Sequence, residues 1–185
     1  MRHYRGDGIK VASPNYLRRE FPISAAPAVD RIDQKILARL QADGRVSNKA
    51  LAEAVGLSAS ACLARVRRLE MEGLIQGYHA DIAVDRLGPT VAIFAEVTLG
   101  QHHPGDFARF ETFVRDSREI VEAAQVSGAY DYLMRVVVGD MEAWREFSDQ
   151  ILNSNLGVTK ISSHVVMKTA KGFAGVQVSP SPGRD

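Results

Sequence analysis

Residues Ile32 to Ile75 read IDQKILARLQADGRVSNKALAEAVGLSASACLARVRRLEMEGLI, a run that spells three short helices separated by tight turns. Ile32, Ile36, Leu37 and Leu40 recur at helical spacing, and Asp43-Gly44 stops that helix. Ser47 is a good N-cap for a second helix, because its hydroxyl can accept from a backbone N–H that lacks an intrahelical partner. Leu51, Ala52 and Val55 give that helix a stripe to bury. Gly56 stands where the chain must turn sharply, which a residue without Cβ does at no steric cost. Leu57 can plug the angle between the helices, and Ser58 caps the third. The second and third helices are then separated by about three residues, the helix-turn-helix spacing.

On a wheel at ~100° per residue, Cys62, Val66 and Leu69 share a narrow arc and form the core face of the third helix. Ser60, Ala61, Ala64, Arg67 and Arg68 lie on the far side, with Arg65 on its flank. Small residues there allow close approach to a DNA groove, and arginines can read guanine or hold phosphates. The sequence does not sort those two roles. The plainer alternative is a solvated face in which Arg65, Arg67 and Arg68 pair with Glu70 and Glu72. The complete cap, turn and cationic helix together favour double-stranded DNA as the partner. Past Gly73, the run LIQGYHADI suits a short ribbon beside the helices, as in winged domains. Tyr78 and His79 can touch the DNA backbone or pack on the domain or a dimer partner.

Composition agrees. The chain has 185 residues, 45% hydrophobic and 24% charged, enough for one or two globular domains. A formal charge of +1 is low for a DNA binder, but the charge is unevenly spread. Residues 1–28 carry five Lys/Arg against two Asp/Glu, residues 29–89 nine against eight, and residues 90–185 nine against twelve. A near-neutral DNA-binding domain must gather its arginines on one surface, and dimerisation would double its phosphate contacts. The lone Cys62 permits no internal disulfide, which suits a reducing cytoplasm. No apolar run approaches ~18 residues. The leader MRHYRGDGIKVASPNYLRREFPISAAPA lacks a signal-peptide core and reads as a disordered arm, with Arg2, Arg5, Lys10, Arg18 and Arg19 available to DNA.

The second half changes period. Thr90 to Leu99 (TVAIFAEVTL) reads as a strand. Phe107, Phe110 and Val114 mark an amphipathic helix, and Ile120 to Val126 a second strand. Ser127-Gly128-Ala129 turns the chain into a third strand, Tyr130 to Val138. Met141, Trp144, Phe147 and Ile151 form another helical stripe, and Val158 to Met167 supplies the last strand. The order βαββαβ is the ferredoxin-like split arrangement, with two helices on one sheet face and the other face free for assembly. The fold class expected is therefore α+β, a winged helix-turn-helix followed by a ferredoxin-like domain.

Several long runs resemble the Lrp/AsnC, or feast/famine, family of regulators: AVDRIDQKIL from Ala28, GRVSNKALAEAVGLSASACLARVRRLE from Gly44, GLIQGYHADI from Gly73, VSGAYDYLMRVVV from Val126 and HVVMKTAKG from His164. The resemblance covers roughly residues 29–172. It implies a DNA-binding domain at 29–89 with a hinge near Val84 to Pro89, an effector-binding and oligomerisation domain at 90–172, and a flexible tail at 173–185. It implies dimers that assemble into tetramers or octamers, a small effector (an amino acid), no cofactor, and a cytoplasmic, nucleoid-associated location. Its helix-turn-helix motif falls on Asn48 to Arg67; together with the wheel, the residues expected on DNA are Asn48, Lys49, Ser58, Ser60, Ala61, Ala64, Arg65, Arg67 and Arg68. Its effector signature falls on Ser127, Gly128, Tyr130, Asp131 and Tyr132, with Val165, Val166 and Met167 lining the site from another strand. Chemically, Gly128 can free backbone N–H groups for an α-carboxylate, Asp131 can pair with an α-ammonium, and the aliphatic run, of this or another subunit, can take an apolar side chain. The alternative is a hairpin turn and nothing more. His164 replaces an aromatic found in close relatives of the leucine-responsive protein, which puts leucine itself in question; it can be a pH-sensitive group or a packing residue.

Enzyme chemistry has little support: the chain carries no Gly-rich phosphate loop, no GxSxG and no HExxH. His102-His103 with Asp106 could be considered for a metal, but no matching cluster accompanies them. Two other readings share the same motifs: a ligand-independent DNA-organising protein, and a co-regulator that uses the βαββαβ domain only for assembly.

Overall fold

The computed structural model describes residues 29–178, in two compact units. The division falls between Ala80 and Asp81, and residues 172–178 belong with the first unit. The cationic leader and the last seven residues lie outside the described residues.

The first unit holds α1 (Arg31–Ala42), α2 (Asn48–Val55) and α3 (Ala59–Met71). Each starts on a side-chain cap. Asp30 Oδ1 accepts from the backbone N–H groups of Ile32 and Asp33, both at 2.8 Å, and Asp33 Oδ2 accepts from the Asp30 N–H at 3.1 Å. That reciprocal pair is a capping box built from two aspartates. Ser47 and Ser58 accept from Ala50 and Ala61 in the same way. Gly56 ends α2 at φ 73°, where a β-carbon would be strained, and three residues separate α2 from α3. Ile36, Leu51, Ala52, Val55, Cys62 and Leu69 form the buried core of this unit. Burial pushes the Cys62 thiol up, so it behaves as a small apolar residue.

The expected ribbon after α3 does not form. Gly73, at φ 70°, reverses the chain, and Leu74 and Ile75 fold back onto the helical core, with their N–H groups bonded to Leu69 O. Residues 76–83 contain no strand. The apolar signal of Leu74-Ile75 thus marks a helix-capping contact and not a sheet. Tyr78 packs on its own domain, donating to Glu70 Oε1 at 3.1 Å.

The second unit begins with a short 3₁₀ turn at Val84–Arg86 in the expected hinge. It continues as β1 (Val91–Leu99), α4 (Pro104–Asp116), β2 (Ile120–Gln125), β3 (Tyr132–Val138), α5 (Met141–Asn153) and β4 (Val158–Val165). The sheet order is β2-β3-β1-β4, and every neighbouring pair is antiparallel. Strand alternation sorts the faces. Ile93, Ala95, Val97 and Leu99 from β1 and Tyr132, Met134, Val136 and Val138 from β3 are buried with Phe110 and Val114 of α4 and Trp144, Phe147 and Ile151 of α5. The opposite face presents Phe94, Glu96, Leu133, Arg135 and His164. His164 sits opposite Phe94 in the register and its Nε2 lies 3.2 Å from Glu96 Oε1.

Candidate nucleic-acid interface and effector turn

The residues assigned to DNA from sequence divide into two groups. Lys49, Ser60, Ala61, Ala64 and Arg67 are exposed, and Arg67 forms no ion pair with any described residue. The remaining four are occupied within the protein. Asn48 Nδ2 donates to the Ala59 carbonyl at 2.8 Å, tying the start of α2 to the start of α3. Its buried Oδ1 has no partner, so the amide is committed to one bond. Ser58 caps α3 and lies 3.2 Å from the Ser60 hydroxyl.

Arg65 and Arg68 turn toward α1. Arg65 Nη1 contacts Asp30 Oδ2 at 2.6 Å and Asp33 Oδ1 at 2.8 Å. Arg68 Nη2 contacts Asp33 Oδ2 at 2.5 Å, and Nη1 lies 3.3 Å from Glu72 Oε2. Among the described residues Asp33 is the one buried polar or charged side chain, 1% exposed. Burial pushes its carboxyl up, but the hydrogen bonds from Arg68 and Arg65 outweigh it and hold the group below its ordinary range. The sequence alternative paired these arginines with Glu70 and Glu72; the dominant partners lie instead in the first turn of α1. The Asp-x-x-Asp spacing at a helix start was the available signal, since it is a capping pattern. Leu63, 38% exposed on α3, was not singled out from sequence at all.

In the second unit, Ser127 and Gly128 are exposed at the β2–β3 turn. Gly128 has φ 146°, and a β-carbon there would meet open space, so backbone conformation and not crowding favours glycine. Asp131 is held from both sides. Its N–H donates to Val97 O at 2.9 Å, and its carbonyl accepts from the Val126 N–H at 2.9 Å. Its Oδ2 accepts from the Leu99 N–H at 2.7 Å, and His102 Nε2 lies 2.9 Å from Oδ1. The His102 ring stacks on Phe107, centroids 5.8 Å apart. Tyr132 points the other way, into the helix layer. It lies 4.7 Å from the Phe110 ring and donates to Glu111 Oε1 at 3.0 Å. Burial first, and Glu111 second, push its phenol well above the usual range. Its place is in the core.

Val165, Val166 and Met167 are not brought to this turn within one chain. Val165 pairs with Ile93, and the Val166 N–H bonds to Ala92 O, whereas the Asp131 N–H donates to Val97 O. Ile93 and Val97 are four residue steps apart on β1, roughly 13 Å along the strand. Val165 and Met167 are exposed. The metal idea at His102, His103 and Asp106 has no geometric support: His102 is turned to Asp131, and no group of three His, Cys, Asp or Glu side chains among the described residues is placed to hold an ion. No helix among the described residues is long and apolar enough to cross a membrane.

Comparison with known proteins also finds two parts. Residues 29–70 match the AsnC-type helix-turn-helix domain and residues 92–176 the Lrp/AsnC ligand binding domain. The leucine-responsive regulatory protein of Escherichia coli is 44% identical over 143 residues, 77% of this chain and 87% of that protein. A Neisseria meningitidis transcriptional regulator solved as an L-Met complex superposes with TM-score 0.72 at 32% identity, covering 78% of this chain and 94% of that one. A feast or famine regulatory protein from M. tuberculosis, complexed with L-methionine, gives TM-score 0.70 at 31% identity over 78% and 96%.

Proposed function

The chain belongs to the Lrp/AsnC family of DNA-binding transcriptional regulators, which are not enzymes, and from that premise we propose that it is a sequence-specific regulator whose DNA occupancy responds to an amino acid. The observation that carries the DNA half is α3 itself: a helix anchored by Cys62 and Leu69 that presents Ser60, Ala64 and Arg67 outward after a three-residue turn. Two chains pair through their ferredoxin-like domains, using the sheet face that bears Phe94 and Leu133. The dimer then offers two α3 helices to half-sites about one DNA turn apart. Work on DNA fits a cytoplasmic, nucleoid-associated location.

The effector half rests on the turn at Ser127 to Asp131. Gly128 leaves main-chain groups open at an exposed bend, and Asp131 supplies a carboxylate that meets an α-ammonium once His102 moves aside. Two solved relatives hold L-Met, which supports an amino-acid effector. Because Val165 to Met167 lie far along the sheet from the turn, the apolar wall of the site comes from another copy of the chain. Binding then requires assembly, and linkage makes the effector shift the oligomer equilibrium.

Fluorescence polarisation with duplex DNA from upstream of the protein's own gene, at two salt concentrations and across a panel of amino acids, tests this. Specific, salt-dependent binding that one amino acid changes is expected. Binding indifferent to both sequence and amino acids would favour a DNA-organising role. No binding under any condition would favour a co-regulator that only assembles.

A further inference from the structure

Three arginines stand on α3, but the structure gives them different directions. Arg65 and Arg68 lean over the start of α1, where two aspartates take their guanidinium groups. Arg67 faces away from that cluster and stands exposed. Moving Arg65 and Arg68 together onto phosphate would strand the Asp33 carboxylate, 1% exposed, without its counter-charges. DNA would therefore have to compete against a buried anion already in contact at 2.5–2.8 Å. With those two withdrawn, the outward row of α3 is Ser60, Leu63, Ala64 and Arg67, spaced i, i+3, i+4 and i+7 on one face. Leu63 is exposed there.

We infer that Asp33 is a positioning residue for DNA recognition: it holds Arg65 and Arg68 against α1, and base reading falls to Ser60, Leu63, Ala64 and Arg67. Arg67 supplies the guanidinium that meets guanine or an adjacent phosphate, and Leu63 supplies an apolar contact for a thymine methyl. The capping box at Asp30 and Asp33 then does two things at once, since the carboxylates that start α1 also set how α3 presents its outer face. The inference rests on the DNA-binding function proposed above.

The full chain is titrated against its upstream duplex and a scrambled duplex at two salt concentrations. Arg67→Ala is expected to lose roughly tenfold or more on the specific duplex. Leu63→Ala is expected to shrink the specific-to-scrambled ratio roughly fivefold with scrambled binding unchanged. The neutral pair Asp33→Asn with Arg68→Gln, which removes the charge on both sides, keeps specific affinity within about threefold. Asp33→Asn alone removes the carboxylate shared by two guanidinium groups and leaves Arg65 to Asp30 and Arg68 to Glu72, so both are held less firmly. It strengthens scrambled binding and steepens its salt dependence, which a purely structural role for Asp33 would not do. A folded neutral pair that loses as much affinity as Arg67→Ala overturns the inference, as does an Arg67→Ala variant that binds normally. Should the neutral pair fail to fold, arginine side-chain NMR on the wild-type protein decides. DNA is expected to shift the Arg67 Nε–H signal and leave those of Arg65 and Arg68 in place; the reverse pattern overturns it. A wild-type protein that binds neither duplex defeats the DNA-binding function itself, an outcome distinct from all of these.

Discussion

Two aspartates, one in each unit, use the same chemistry to opposite effect. Asp33 is closed: both oxygens are taken by arginines, one also by a backbone N–H, and the side chain is 1% exposed. Asp131 is open on one side. One oxygen accepts from the Leu99 N–H, and the other meets the ring of His102, itself 65% exposed. A carboxylate whose partners are all built in has no oxygen left to offer a ligand. A carboxylate with one firm backbone bond and one exposed, displaceable partner can hold structure and still exchange that partner for a ligand.

The sharpest way to break the comparison is to remove each carboxylate. Asp33→Ala is expected to cost roughly 2 kcal/mol in urea unfolding, because it deletes a capping bond and the anchor of two arginines. A cost near zero would mean that the cluster is decorative. Asp131→Asn is expected to cost less, about 1 kcal/mol, since the amide oxygen still accepts from Leu99. The same variant should abolish the amino-acid effect on DNA binding; a retained response would remove Asp131 from the effector site.

Acid titration sharpens the difference further. The folded-state carboxyl of Asp33 is held below its ordinary range, so its contribution is fully present above the unfolded value of about 3.9 and fades as pH falls through the folded one. Stability should therefore drop on the acid side below about pH 4–5, and Asp33→Asn should flatten that limb. An unchanged acid limb in Asp33→Asn would assign the loss to other groups. The smallest expected stability effect is that of His102→Ala, within about 0.5 kcal/mol because the ring is mostly in solvent. If His102 occupies the ammonium position, the variant binds the effector more tightly by calorimetry; weaker binding would make His102 a ligand contact instead.

Legibility from sequence followed the range of the interactions. Caps at Ser47 and Ser58, the turn at Gly56 and the stripe of Leu51, Ala52 and Val55 are set within a few residues, and each was readable. The βαββαβ order was readable for the same reason, from alternating and helical periods. Leu74-Ile75 misled, because two apolar residues after a glycine look alike whether they open a strand or cap a helix. The ion pairs of Arg65 and Arg68 with Asp30 and Asp33 were not readable, because a wheel shows direction from the axis but not the carboxylates of another helix. Tyr132 misled because its place beside Asp131 in sequence hides the alternation that sends it into the core.

The amino-acid sequence by itself determined the element order, the helix-turn-helix, the family and the two cores, since periodicity and capping are local and strongly patterned. Only the tertiary structure decided which arginines face outward, that Asp33 is buried between α1 and α3, and that Val165 to Met167 stand far along the sheet from Asp131. These depend on pairings of residues more than 30 positions apart, and no local pattern specifies the partner of a charge or the neighbour of a strand.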